Sequence, residues 1–304
     1  MRYSTPLRYP GGKSKLACFI KLTFEVNGLK GSHYIEPYAG GAGIAFHLLL
    51  SGYTSHVHLN DVDRALYAFW CSILEDTENF CRLVHDTPVT MHSWKQQKLT
   101  QKNPDSASTL QLGFSTFFLN RTNRSGIIRG GVIGGKKQNG DWSLGARYNK
   151  TSLIARISKI AQFKEKITLH NQDASEFILW TLPKLPQTAL VYLDPPYYSK
   201  SKRLYKNHYK HEDHDTVATL VKSQIKQKWI VSYDDTPEIR KLYKGYQKLF
   251  YKLNYSANSH NKGSEVMFFC HDLNPPEVKN PIKLDDALHH ALNSVIHPLS
   301  LSNL

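Results

Sequence analysis

The sequence has no long apolar run. Nothing in it approaches the roughly 18 consecutive apolar residues that a membrane-spanning helix needs. The opening Met1-Arg2-Tyr3-Ser4 is followed by no apolar signal core, which argues against export. The expectation is therefore a cytoplasmic protein without membrane contact. Cysteine is scarce: Cys18, Cys71, Cys81 and Cys270 form no CxxC pair and no zinc-knuckle or disulfide spacing, so they read as reduced core residues. There is no GxSxG, no HExxH and no paired Cys/His array, which leaves hydrolase and zinc-enzyme chemistry without a handle. His208, His211 and His214 stand three apart beside Glu212, Asp213 and Asp215. They fit a solvated polar segment better than a ligand set, and no metal is expected. Internal repeats and low-complexity tracts are also absent.

Acid is the other deficit. Against 39 Lys and Arg the chain sets 25 Asp and Glu, a formal net charge of +14, and such an excess favours a polyanionic partner. The excess is concentrated: residues 120–150 hold seven Arg or Lys and one acid, Asp141, and residues 240–262 hold six basic residues and no acid. Tyr148, Tyr243, Tyr246, Tyr251 and Tyr255 are interleaved with these runs. Basic residues alternating with aromatics suit a phosphate backbone with bases stacked nearby, although tyrosines at such spacings also serve as packing residues.

What is present is an ordinary globular composition of 304 residues, 40% apolar and 12% aromatic, long enough to bury a large core. Residues 32–37 look like a strand, followed by the glycine turn Gly40-Gly41-Ala42-Gly43 and a helical pattern over 44–50. A second strand at 56–60 runs into Asp61-Val62-Asp63 and a helical pattern from Arg64. Two such units in succession imply a mostly parallel sheet wrapped by helices. Further strands are expected at 167–170, 189–193, 229–232 and 266–270. Between 88 and 150 the pattern turns polar and glycine-rich. This stretch reads as an insertion whose Asn120-Arg121-Thr122-Asn123-Arg124 could grip a nucleic acid. The polar, proline-containing tail after Pro275 resists assignment and is expected to be partly disordered.

The most specific motif is Asp194-Pro195-Pro196-Tyr197, at the end of the apolar strand 189–193. Two prolines cannot continue a sheet ladder, so carboxylate and carbonyl oxygens project into the crevice where open α/β sheets bind ligands. Acceptors from Asp194 and the Pro195 carbonyl around an exocyclic amine favour a more nucleophilic nitrogen. Tyr197 is placed to stack on the base. The turn 40–43 lets a cofactor approach the backbone, but Phe46 stands where a dinucleotide fingerprint needs Gly or Ala, which disfavours nicotinamide and flavin enzymes. Asp61, about 20 residues beyond Gly41, is placed to bind a ribose; a tight turn and a helix cap account for the same residues. Arg8-Tyr9-Pro10-Gly11-Gly12-Lys13-Ser14 fails as a P-loop because its first glycine would fall at Leu7. Lys13 there can neutralise a carboxylate while Tyr9 packs on a cofactor, and a solvated turn fits equally well.

In this order, Arg8 to Lys13, Glu36 to Gly43, Asn60-Asp61, a polar insertion and Asp194 to Tyr197 resemble the Dam-type DNA adenine N6-methyltransferases of the alpha group, over roughly residues 5–272. The resemblance implies an α/β, Rossmann-like S-adenosylmethionine (SAM) domain over 1–87 and 151–275, a target-recognition insertion over 88–150 and a tail over 276–304. It implies that Tyr9 and Lys13 hold the methionine end of SAM and that Asp61 holds its ribose. Asp173 would lie near the adenine of the cofactor, with Glu36, Gly41 and Asp194 completing the cofactor site. Asp194, Pro195, Pro196 and Tyr197 would be catalytic. Arg121, Asn123, Arg124, Arg129, Lys136 and Lys137 would meet duplex DNA. The implied reaction is methyl transfer to a flipped adenine, and a cognate restriction nuclease is the one protein partner the resemblance suggests.

Overall fold

The structure is a computed structural model that describes residues 5–8, 13–199, 209–254 and 262–284. Its centre is a seven-stranded sheet of order β3-β2-β1-β4-β5-β7-β6. The strands are β1 (His33–Glu36), β2 (His56–Asn60), β3 (Ile167–His170), β4 (Ala189–Leu193), β5 (Lys228–Asp234), β6 (Gln247–Asn254) and β7 (Lys262–Phe269). All neighbouring pairs from β3 to β5 run parallel, and β7 is antiparallel to both β5 and β6. This is the mostly parallel, Rossmann-like sheet expected from the sequence. β4 lies at its centre and is buried at every residue, which explains its unbroken apolar sequence.

Several of the helices begin where side chains satisfy free amides. α1 (Ala17–Val26) and α2 (Gly43–Leu50) come first, followed by α3 (Arg64–Glu75), whose N-cap Asp63 accepts from the amide of Ala65. α4 (Thr77–Asp86) and α5 (Met91–Lys102) lead to α6 (Thr109–Thr122), which opens on a reciprocal capping box between Ser108 and Gln111. α7 (Lys150–Ala161) is capped by Asn149. α8 (Ala174–Glu176) continues as a wider turn over Phe177–Thr181, and α9 (His211–Gln224) and α10 (Pro237–Leu242) complete the set.

The polar look of 88–150 conceals α6, whose Phe114, Phe117 and Phe118 are buried in the core cluster that also contains the sheet. Phe117 stacks on Phe69 of α3 at 5.9 Å, and Phe80 of α4 packs edge-on against both Phe114 and Phe117. Gly113 makes this approach possible. A Cβ there would lie 2.6 Å from the Ala68 carbonyl oxygen and 2.5 Å from Ser72 Oγ. Gly113→Ala should therefore push α6 off α3 and cost about 1–3 kcal/mol, the usual scale of overpacking, read as a lowered midpoint in urea unfolding.

One expectation changes at the sheet edge. Residues 247–254 form strand β6, hidden in sequence by its lysines. Leu249 and Tyr251 turn inward while Lys248 and Lys252 are exposed, as expected of a charged edge strand. Tyr148, Tyr243 and Tyr251 are buried, so they are packing residues and not base-stacking platforms; Tyr255 lies outside the described residues. The segment after Pro275 lies on the core as far as it is described, with Pro276 and Pro281 buried. No helix among the described residues is long and apolar enough to cross a membrane.

Candidate active site

The strand order reverses between β1 and β4, and at such a switch point the loops leaving neighbouring strands diverge and open a crevice. The turn after β1 carries Gly40 to Gly43, and the segment after β4 carries Asp194 to Tyr197. Gly40 and Ala42 both adopt left-handed backbone, φ 47° and φ 45°. A Cβ at Gly43 would lie 2.0 Å from Ser14 Oγ, so a side chain there would force the Ser14 hydroxyl to turn away. The turn is held from three sides: Gly40 N–H donates to Asp61 Oδ2 at 2.9 Å, Trp70 Nε1 donates to the Gly40 carbonyl at 3.1 Å, and α2 starts behind it.

Asp194 is the centre of a buried network. Its Oδ1 accepts from Lys13 Nζ at 2.8 Å and from Ser232 Oγ at 3.0 Å, and Tyr192 OH donates to Ser232 at 3.0 Å. Among the described residues none donates to Oδ2, and the side chain keeps 22% exposure. One oxygen is thus fixed by protein, and the carboxylate stays partly exposed at the carboxyl end of β4. Lys13, with a side chain 2% exposed, also contacts Glu265 Oε2 at 3.2 Å and donates to Tyr197 OH at 3.0 Å. These opposite charges hold the ammonium well above the usual lysine range despite burial. Sequence alone left Lys13 between a solvated turn and a partner for a carboxylate; the structure gives it two carboxylates.

On the other side of the crevice, Asp61 accepts from two amides, Gly40 and Asp63, both at 2.9 Å. Burial nonetheless raises its carboxyl to about 6. Beside it, Asn60 is fully buried and laces the strand ends, donating to the carbonyls of Pro37 and Gln172 and accepting from the Gln172 amide. Asp173 caps α8 through the amide of Ser175 at 2.8 Å and is exposed. Tyr209 stands within the electrostatic reach of both Asp61 and Asp173 and pairs with Tyr38 OH at 3.1 Å. The carboxyl ends of β1, β2 and β3 thereby share one polar rim.

Several expected site residues sit elsewhere than their assigned roles require. Asn123 is fully buried: it accepts from Trp94 Nε1 at 2.7 Å and donates to the carbonyls of Ile127 and Ile128. It shapes the loop and has no group left for DNA. Arg121 is mostly enclosed, donating to the carbonyls of Arg147 and Pro6, and burial beside Arg8, Arg156 and Arg147 lowers its guanidinium to about 9. Arg124, Arg129, Lys136 and Lys137 are exposed. Tyr197 is fully buried, with its hydroxyl on Lys13, so its ring offers no open face for stacking. Glu36 is buried and takes the Ala45 amide in the first turn of α2, while burial raises it to about 8. Through that contact it supports the turn. Tyr9 and His208 lie outside the described residues, while His214 is buried among Tyr198, Tyr209 and Tyr233 and His211 is exposed.

Sequence reasoning missed Ser232, Asp234, Tyr251 and Glu265. Asp234 ends β5 and accepts from the amides of Tyr198 and Ser199, fixing the chain just past Tyr197. The available signal was a polar residue interrupting an apolar strand at Ser232 and an acid directly preceding the apolar run at Glu265.

A sheet of this order with an acid-Pro-Pro-aromatic segment at its switch point defines the Rossmann-like methyltransferase class. The family model for D12 class N6 adenine-specific DNA methyltransferases matches residues 9–257, and the chain belongs to that family. Among solved structures it is similar to a putative RNA methyltransferase from Pyrococcus horikoshii, at 12% identity and TM-score 0.41 over 86% of this chain and 85% of that one. It is also similar to an rRNA methyltransferase from Streptomyces viridochromogenes, at 11% identity and TM-score 0.36 over 88% of each chain. No curated protein matches the chain.

Proposed function

We propose that the protein transfers the methyl group of SAM to the N6 amine of an adenine flipped out of duplex DNA, in the cytoplasm. The observation that carries this reading is Asp194 at the switch point, whose Oδ1 is fixed by Lys13 and Ser232 while the carboxylate keeps partial exposure. SAM supplies an electrophilic methyl on a sulfonium. In the transfer the amine would give its lone pair to that methyl carbon, the C–S pair would stay on sulfur, and positive charge would pass to nitrogen. That nitrogen then loses a proton through Asp194 to water. Asp194 orients the amine and opposes the charge that develops on it, and the crevice supplies alignment. Pro195 and Pro196 hold the segment extended, Tyr197 supports Lys13, and Asp61, Gly41 and Asp173 form the cofactor side. Arg124, Arg129, Lys136 and Lys137 would meet backbone phosphates from residues 88–150, offsetting the few kcal/mol that flipping costs, to order of magnitude.

Calorimetric titration with SAM tests the cofactor half. If the ionised Asp61 holds the ribose hydroxyls, affinity should be constant above pH 7 and weaken as pH falls through about 6, by up to about tenfold per pH unit for a single proton. Asp61→Asn should bind weakly at every pH; tight, pH-independent binding by that variant would remove Asp61 from the site. Replacing any one of Arg124, Arg129, Lys136 or Lys137 by Gln should lower the salt slope of DNA binding by about 1, measured by fluorescence anisotropy. A panel of duplex DNA, RNA and protein with labelled SAM tests the substrate half, and label in DNA alone is the expected result.

A further inference from the structure

Glu265 lies on β7, opposite Asp234 of β5 and Tyr251 of β6 in register, and is fully buried. A buried acid opening an apolar strand needs a reason, because leaving a carboxylate in a core without compensation is costly. Its partners are Lys13 Nζ at 3.2 Å, Tyr251 OH at 3.3 Å and the hydroxyl of Tyr197. Lys13 is in turn bound to Asp194 at 2.8 Å. One ammonium therefore serves two carboxylates, of which Asp194 is partly exposed at the end of β4 and Glu265 is fully buried. A Lys13–Asp194 pair alone would be neutral, and an acid neutralised by its own lysine opposes developing positive charge poorly. The second carboxylate restores a net negative charge to the cluster.

We infer that Glu265 is a positioning residue for methyl transfer, sharing Lys13 so that Asp194 remains an effective acceptor for the amine; this rests on the role of Asp194 proposed above. It touches neither substrate nor cofactor and acts through Lys13. Its surroundings make it responsive to pH. Burial and the nearby Asp194 push its carboxyl above the usual glutamate range while Lys13 and Tyr197 pull it back. The other groups facing it are Tyr251 and Tyr192, and Asp234, which is held by the amides of Tyr198 and Ser199. Protonating Glu265 leaves Lys13 wholly to Asp194. Activity should therefore decline on the acid side as Glu265 takes up its proton.

Glu265→Gln tests this in the full-length enzyme, with duplex DNA and SAM. It should lower kcat by about tenfold or more, the scale of one pKa unit of electrostatic difference, with KM for SAM within twofold of wild type. The acid limb of the wild-type kcat profile, taken at saturating SAM so that protonation of Asp61 does not enter, should vanish. Glu265→Asp, which keeps the charge, should retain that limb and recover part of the rate, and it decides the matter if the Gln variant does not fold. Wild-type kcat and an unchanged acid limb in Glu265→Gln, or loss of the limb in Glu265→Asp, would overturn the inference. Carbon-13 NMR of the carboxyl groups gives a readout without substrate: the Glu265 titration should perturb Asp194, and Glu265→Gln should remove that step from the Asp194 profile. If wild type methylates no DNA, the proposed reaction fails, while the NMR titration still decides whether the two acids share Lys13; independent titrations would refute the sharing.

Discussion

Asp194→Ala should lower methyl transfer by about 10³-fold or more, the upper range for removing one preorganised group that meets charge developing in the transition state. The protein should remain folded, because the neighbours of Asp194 keep other partners: Lys13 retains Glu265 and Tyr197, and Ser232 retains Tyr192. SAM affinity should be close to wild type, since Asp61 and the 40–43 turn stand on the other flank of the crevice. The defect is therefore expected in kcat and not in KM, the signature of an interaction made mainly in the transition state. Single-turnover kinetics with labelled SAM, paired with circular dichroism, checks it. A folded variant with near wild-type rates would show that the carboxylate does not act on the amine.

Lys13→Met should have the largest effect on stability. Among the described residues it removes the only cation paired with the buried Glu265 and the partly exposed Asp194, and breaking a buried pair from one side costs about 3–5 kcal/mol. The loss should depend on pH in a definite direction. Without Lys13 the folded-state pKa of Glu265 rises further above its unfolded value, so the folded variant binds a proton that the unfolded chain has released. Stability then falls as pH rises beyond the ordinary glutamate range, and the gap between variant and wild type widens from pH 5 to pH 8. Urea unfolding at several pH values measures this. A gap that is constant or that narrows with pH would mean that the two acids are not held by Lys13.

The sequence made the sheet legible because its central strands are short apolar runs bounded by turn signals, and Asp194-Pro195-Pro196-Tyr197 marked the ligand end of β4. β6 was not legible, because an edge strand whose outward face is lysine resembles a basic binding segment. Asn123 misled for a related reason. A polar residue amid arginines suggests DNA, yet its amide closes a loop among Trp94, Ile127 and Ile128. The polar stretch after residue 88 hid α6, whose buried face is aromatic and closes on α3 at Gly113. Lys13, Asp194, Ser232 and Glu265 come from four separated segments. Their union is a property of the strand order, in which β7 is inserted between β5 and β6 and brings Glu265 behind Asp194.

The central claim is methyl transfer to adenine N6, and nucleoside analysis of DNA tests it most directly. Purified protein would be incubated with methyl-labelled SAM and unmethylated duplex DNA, and the DNA digested to nucleosides. The account predicts that label co-elutes with N6-methyladenosine as its deoxynucleoside and disappears with Asp194→Ala. Label on cytosine, or no label in DNA with SAM still bound, would contradict it.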